Sequence, residues 1–136
     1  MYSLIYVSTA VNDLSFQEVT KICTQASKKN VEHNISGILI YNKGSFLQVL
    51  ESQLEHKDNV DRLYDKIASD PRHYDVMKLY TRINDSRSFS TYSSFSTIND
   101  QSEHEELYKF LKNEKFYNPK EYNRVAHLTQ KFLSLI

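Results

Sequence analysis

The sequence predicts an α+β domain of the ferredoxin-like kind: a βαββαββ sheet with two helices on one face and C-terminal helices covering the other. Three observations carry this expectation. Short apolar runs alternate with two amphipathic stretches in a split β-α-β order, two of the runs are apolar on both faces, and residues 102–136 add two more helical patterns.

Residues 2–7 (YSLIYV) form an apolar and aromatic run that reads as a first strand. Ser15-Phe-Gln-Glu18 spells a capping box, in which a hydroxyl and a carboxylate satisfy each other's exposed amides. Behind it Phe16, Val19, Ile22, Cys23 and Ala26 share one helical face, and that helix is expected to end at 28–30. Residues 35–41 (ISGILIY) and 45–51 (SFLQVLE) then flank the tight turn 42–44 (NKG), as a hairpin requires. A second amphipathic helix carries Val60, Leu63, Tyr64, Ile67 and Ala68, and Asp70-Pro71 closes it.

Residues 76–83 and 89–95 are weaker strand patterns separated by a polar turn. The apolar positions Leu107, Phe110 and Leu111, then Val125, Leu128, Phe132 and Leu135, supply helices for the bare face of the sheet. The 3-4-3 spacing of the second set suits packing on the chain's own sheet or a dimer seam. The chain divides into residues 1–97 and a helical extension, 98–136.

Composition removes several function classes. The 136 residues carry 17 Lys plus Arg against 17 Asp plus Glu, so the excess positive charge that draws nucleic acid is missing. No apolar run is long enough to span a membrane, and the first residues lack a leader pattern, so a cytoplasmic setting is expected. A lone Cys23 forms no internal disulfide, and no Cys/His cluster suggests a metal. With Gly37 and Gly44 the only glycines, neither a phosphate-cradling loop nor a dinucleotide fingerprint can be spelled. His33, His56, His104 and His127 stand in polar surroundings that suit a solvated surface, and His73 is a partial exception. The acidic residues at 103, 105 and 106 fit a helix start.

Two polar side chains sit where apolar ones are expected. Alternation places Phe46, Gln48 and Leu50 on one face of their strand, which buries the Gln48 amide, and it places the Tyr6 phenol at the end of an apolar run. One explanation is that the two satisfy each other and nearby backbone. The other is a flat, polar-edged ligand lying on the sheet between the helices, read by Gln48 and by Asn30 at the helix end. Periodicity leaves both open.

The strings Leu-Ile-Tyr-Val-Ser (4–8), Asn30, Ile-Ser-Gly-Ile-Leu-Ile-Tyr (35–41) and Gly-Ser-Phe-Leu-Gln-Val-Leu-Glu (44–51) occur in a specific order. Leu63-Tyr64, Lys66-Ile67, Asp70, Arg72-His73 and residues 89–93 follow them. Together they resemble the BLUF domain, the flavin-based blue-light sensor, over residues 1–97. The terminal helices resemble the extension of its short single-domain members. The resemblance implies a ferredoxin-like fold with a flavin ring held between two helices, FAD first and FMN as the alternative, in a cytoplasmic, bacterial setting.

Carried over residue by residue, Tyr6 is the electron and proton donor and Gln48 bridges it to the ring. Asn30 bonds the ring's polar edge, and Ile22, Phe46 and Ile67 pack around it. Lys29, Lys66, Asp70, Arg72 and His73 align nearer the ribityl and phosphate. A phenol is oxidisable and can release a proton, and a carboxamide accepts at one end and donates at the other, so rotation or tautomerisation of Gln48 can store the event without a covalent adduct. The chemistry of the flavin belongs to the cofactor.

The resemblance breaks at Tyr92-Ser-Ser94, where the family usually has Trp-x-Met on its output strand, and at Ser52, which replaces a glycine. Tyr92 is expected in the Trp position, as a second and unproductive donor. The implied function is a non-enzymatic photoreceptor whose output runs through a partner protein or a change of homo-oligomer by the C-terminal helices, with no nucleic acid, membrane or metal involved. The alternatives are a flavin-binding module without light output, or a ferredoxin-like hydrolase or metabolite-binding domain.

Overall fold

The computed structural model describes residues 1–11, 14–42, 44–84 and 101–133. Its elements in chain order are β1 (Tyr2–Ala10), α1 (Phe16–Glu32), β2 (Ser36–Asn42), β3 (Ser45–Ser52), α2 (Lys57–Ala68), β4 (His73–Ile83), α3 (Gln101–Tyr117) and α4 (Pro119–Leu133). The described strands form one antiparallel sheet in the order β2-β3-β1-β4. This is the predicted ferredoxin-like order. The expected fifth strand at 89–95, with Tyr92 and Ser94, falls outside the described residues, as do the side chains of Leu107, Val125, Phe132 and Leu135.

Local chemistry accounts for the boundaries. The capping box forms as read: Glu18 N donates to Ser15 Oγ at 3.1 Å, and Ser15 N to Glu18 Oε1 at 3.4 Å. Helix α1 runs to Glu32, past the expected stop, so Asn30 lies within its last turn. The helix ends on His33, and Asn34 then takes a left-handed backbone (φ 58°), a conformation that asparagine tolerates better than most residues. Strand β1 is longer than its apolar run because Ser8 and Thr9 pair with Phe46 and Ser45 of β3. Strand β4 begins early, at His73, with a register shift against β1 between Val7 and Thr9. Asp75 (φ 51°) sits inside that shift.

Both glycines have a backbone reason. Gly44 turns the β2–β3 hairpin at φ +82°, and Gly37 lies at φ +148° with β3 so close that an added Cβ would stand 1.8 Å from the Val49 carbonyl oxygen.

The pleat sorts the sheet into two buried faces. Ile5, Ile38, Ile40, Leu47 and Val49 meet Phe110 and Leu111 of α3, with Tyr122 and Leu128 of α4 at the margin. Each such side chain contributes about 1.5–3 kcal/mol when fully buried. The C-terminal helices therefore cover the second face, and Leu128 packs on the chain's own core. On the first face Tyr2, Leu4 and Tyr6 pack with Leu50 and Val60 of α2, and Leu39 and Phe46 pack with Val19 and Cys23 of α1.

Candidate functional site

The first face is not filled. Residues of α1, α2 and the sheet line a cavity of about 500 Å³, within the size range of small-molecule and cofactor sites. Its floor is built by register. Tyr6, Gln48 and Leu39 are paired across β1, β3 and β2, so their side chains form one row, with Phe46 two residues along. Ile22, Ala26 and Asn30 come from α1 at helical spacing, and Leu63 and Ile67 from α2.

The floor is polar at its centre. The Tyr6 hydroxyl donates to Gln48 Oε1 at 2.5 Å, and both side chains are buried. Burial pushes the Tyr6 phenol above its ordinary pKa, and the neighbouring Tyr64, Cys23 and Asp70 add to it. At rest Tyr6 is a protonated donor aimed at a carbonyl, and the Gln48 NH₂ is left for a different neighbour.

Asn30 sets the opposite condition. Its side chain is 1% exposed, and its Nδ2 has no hydrogen-bond partner among the described residues. Its backbone carbonyl is occupied by Ile35 N at 2.8 Å and His33 N at 3.2 Å. An unmet buried donor costs about 1–3 kcal/mol, and this one stands on a cavity wall.

At the α2–β4 corner, His73 Nδ1 contacts Ser8 Oγ at 2.8 Å while Nε2 bonds the Ile67 carbonyl. A carbonyl only accepts, so Nε2 carries a proton; in the neutral ring Ser8 donates to Nδ1. His73 thus ties β1, β4 and the end of α2 beneath the cavity, and its ring stands edge-on to Phe46.

The mouth is charged. Arg72 Nη2 lies 2.6 Å from Asp70 Oδ2, Arg72 Nε reaches both Asp70 oxygens, and Nη1 reaches Gln25 Oε1 of α1 at 3.3 Å. The hydrogen bonds from Arg72 hold the Asp70 carboxyl below its ordinary value, although burial opposes them. Lys28, Lys29 and Lys66 also line the cavity, against Glu32 as the other carboxylate, so cations outnumber anions there.

All the residues expected to hold a ligand from the sequence line this one cavity: Tyr6, Ile22, Lys29, Asn30, Phe46 and Gln48, then Lys66, Ile67, Asp70, Arg72 and His73. Tyr92 and Ser94 lie outside the described residues. The sequence reading missed Gln25, Lys28 and Glu32 on α1, which continue the Ile22 stripe at helical spacing, and Leu39 and Leu63. Among the described residues no cluster of His, Cys, Asp and Glu could hold a metal, and no helix is long and apolar enough to cross a membrane.

A second polar group, unforeseen, lies on the other face. Glu114 of α3 is buried and accepts from the Tyr80 hydroxyl at 3.0 Å and from Asn118 Nδ2 at 2.9 Å. Its Oε1 lies 2.5 Å from Arg82 Nε. The signal was present in the sequence, since Glu114 follows Phe110 by one helical turn on the same apolar face. Its partners on β4 are remote in sequence.

The sequence model of the family described as "BLUF: Sensors of blue-light using FAD" matches residues 1–95. The photoactivated adenylate cyclase subunit beta of Euglena longa is 37% identical over 78 residues, which are 57% of this chain and 9% of that relative. The chain thus spans a small part of the curated relatives it matches. The structure of BlsA in its photo-activated state superposes with a TM-score of 0.66 at 27% identity, covering 99% of this chain and 94% of that one. That of Klebsiella pneumoniae BlrP1 with FMN and cyclic diGMP gives 0.65 at 32% identity, covering 78% and 29%.

Proposed function

The chain belongs to the BLUF family, sensors of blue light using FAD, and we propose that within it the Tyr6–Gln48 pair turns light absorption into a changed hydrogen-bond pattern. The observation that carries this is the buried 2.5 Å bond from the Tyr6 hydroxyl to Gln48 Oε1, on the floor of the cavity.

A flavin fits the residues present. The orphaned Asn30 Nδ2 needs an acceptor, which the carbonyls on the polar edge of the ring supply, and Ile22, Phe46 and Ile67 provide apolar walls. Lys29, Lys66 and Arg72, oriented by Asp70, place positive charge toward the mouth, where the phosphate of the ribityl tail would lie; His73 holds the corner beneath. FAD is the family's cofactor, and FMN has the same ring and a phosphate for the same cations.

When bound, the flavin supplies blue absorption and, once excited, a one-electron oxidant. Tyr6 would be the electron donor to it, and the bond from the Tyr6 hydroxyl to Gln48 Oε1 is the path along which the phenolic proton would leave and return. The raised pKa keeps that proton in place until the electron is lost. Rotation or a change of tautomer of Gln48 would then exchange the acceptor and donor it presents to Tyr6 and to the ring.

The chain is a sensor without a catalytic step of its own, placed in the cytoplasm, and its output passes to another protein or to a change of homo-oligomer. Support comes from the photoactivated adenylate cyclase subunit of Euglena longa, of which this chain matches only 9%, leaving most of that relative outside the shared region. The family match ending at residue 95 and the start of α3 at Gln101 support a sensor at 1–97 and an extension at 98–136. Differential affinity of the partner for the two Gln48 states is what would transmit the signal.

Absorption spectra of the purified, flavin-loaded protein before and after blue light test the reading. A small reversible red shift is expected. Bound flavin without a shift would leave a binding module with no light output, the outcome that Tyr92 and Ser94 favour. Protein that neither carries nor takes up flavin would overturn the proposal.

A further inference from the structure

Tyr6 is buried but not isolated from other oxidisable groups. The ring of Tyr64, from α2, meets it edge-on, with centroids 5.7 Å apart and planes at 62°. Tyr64 is half-buried, so it stands between the buried phenol and solvent. Above Tyr64 lies the ammonium of Lys78, 4.9 Å from the ring centroid. Lys78 is paired with Tyr6 across the β1–β4 ladder, yet its side chain is exposed.

Two phenols in ring contact can exchange an electron. Once Tyr6 has lost an electron and a proton, an electron from Tyr64 can refill it, the proton returning to Tyr6 Oη along the Gln48 bond. The Tyr64 phenol proton then passes to water. The net change is one electron from Tyr64 to the photoexcited flavin, one proton to solvent, and a radical on a half-exposed ring. That radical is a loss, because it escapes the Tyr6–Gln48 bond that records the event, and two such rings on separate molecules can couple through a carbon–carbon bond.

The cation opposes this transfer. A positive charge over an aromatic face is attracted by its π density, and removing an electron from the ring removes that attraction. Lys78 therefore makes Tyr64 harder to oxidise and leaves Tyr6, which has no such cation over it among the described residues, as the easier donor. We propose that Tyr64 is a side site of the light-driven oxidation, reached through Tyr6, and that Lys78 is a tuning residue that holds the oxidation on Tyr6 against loss to Tyr64. The inference rests on the reading of Tyr6 as donor.

The test uses the flavin-loaded full chain under continuous blue light. Tyrosyl radical is followed by electron paramagnetic resonance, and dityrosine cross-links are located by mass spectrometry. Lys78→Gln is expected to raise the total dityrosine yield roughly two- to fivefold, the factor equivalent to an exposed cation–π contact, with the added cross-links at Tyr64. Lys78→Arg keeps the wild-type level, and Lys78→Gln with Tyr64→Phe returns to it. A Lys78→Gln variant that folds normally by circular dichroism yet cross-links no more than wild type overturns the proposal. So does a rise that survives Tyr64→Phe. The underlying reading fails separately: a full red shift in Tyr6→Phe removes Tyr6 as donor, whatever Lys78 does.

Discussion

The two faces of the sheet handle buried polarity in opposite ways. On the α3 side, Glu114 receives Tyr80, Asn118 and Arg82, and Phe110 closes under the guanidinium, 5.1 Å from its ring centroid. On the α1–α2 side, Tyr6 and Gln48 are bonded to each other, but the Asn30 amide beside them donates to nothing described, and about 500 Å³ stands next to it. The same strands serve both faces. An ion-paired cluster holds an extension against the domain, whereas a buried amide facing volume marks the place where a ligand completes the structure.

The comparison can be broken most severely at the donor. Tyr6→Phe keeps the ring and its packing but removes the hydroxyl, so the light-induced shift in absorption is expected to vanish while flavin stays bound. Difference spectra check this, and a normal shift would take the photochemistry away from the cavity floor.

Next in size is the other face. Glu114→Ala strips a buried Arg82 of its carboxylate and is expected to cost about 3–5 kcal/mol in urea unfolding. Flavin affinity, measured at a denaturant concentration where the variant is folded, should change little.

Asn30→Leu sharpens the contrast, because it removes an unmet group. The ligand-free chain is expected to gain up to about 1–3 kcal/mol, and flavin binding, measured by titration calorimetry, to weaken. A destabilised ligand-free variant would show that Asn30 is already satisfied there.

The smallest effect is at the mouth. Arg72 depresses Asp70 below its ordinary 3.8, so the pair stabilises the fold above that pH and the contribution disappears as pH falls through the depressed value. Acid titration of thermal stability is expected to be flatter in Asp70→Asn, by under about 1 kcal/mol, because the pair is partly exposed.

What was legible in the sequence was what neighbours along the chain decide. Ser15 and Glu18 announced the start of α1, and strand alternation put Tyr6 and Gln48 on one face before their register was known. The family strings then brought distant positions to one site, and the structure sets those residues around one cavity. Long-range matters were not legible. Gly37 reads as an ordinary strand glycine until β3 is laid against it, and Glu114, although one helical turn from Phe110, shows no partner until Arg82 and Tyr80 arrive from β4. Gln25, Lys28 and Glu32 look like the wet side of an amphipathic helix, because a cavity mouth is also wet.

Strand β1 lies inside the sheet, yet its two partners come from very different distances along the chain. Tyr6 meets Gln48 across 42 residues, whereas Met1 N and Asn84 O meet across 83. Such pairings close long loops before they return any stabilisation, which slows folding relative to a helical protein of this size. During synthesis the hairpin of β2 and β3 is made early, but the corner held by His73 can only be set once residue 73 and the strand behind it have emerged. The cofactor is thus a late arrival by construction. It binds a sheet in which β4 is already in place, and its own contribution to stability comes as mass action on that fold.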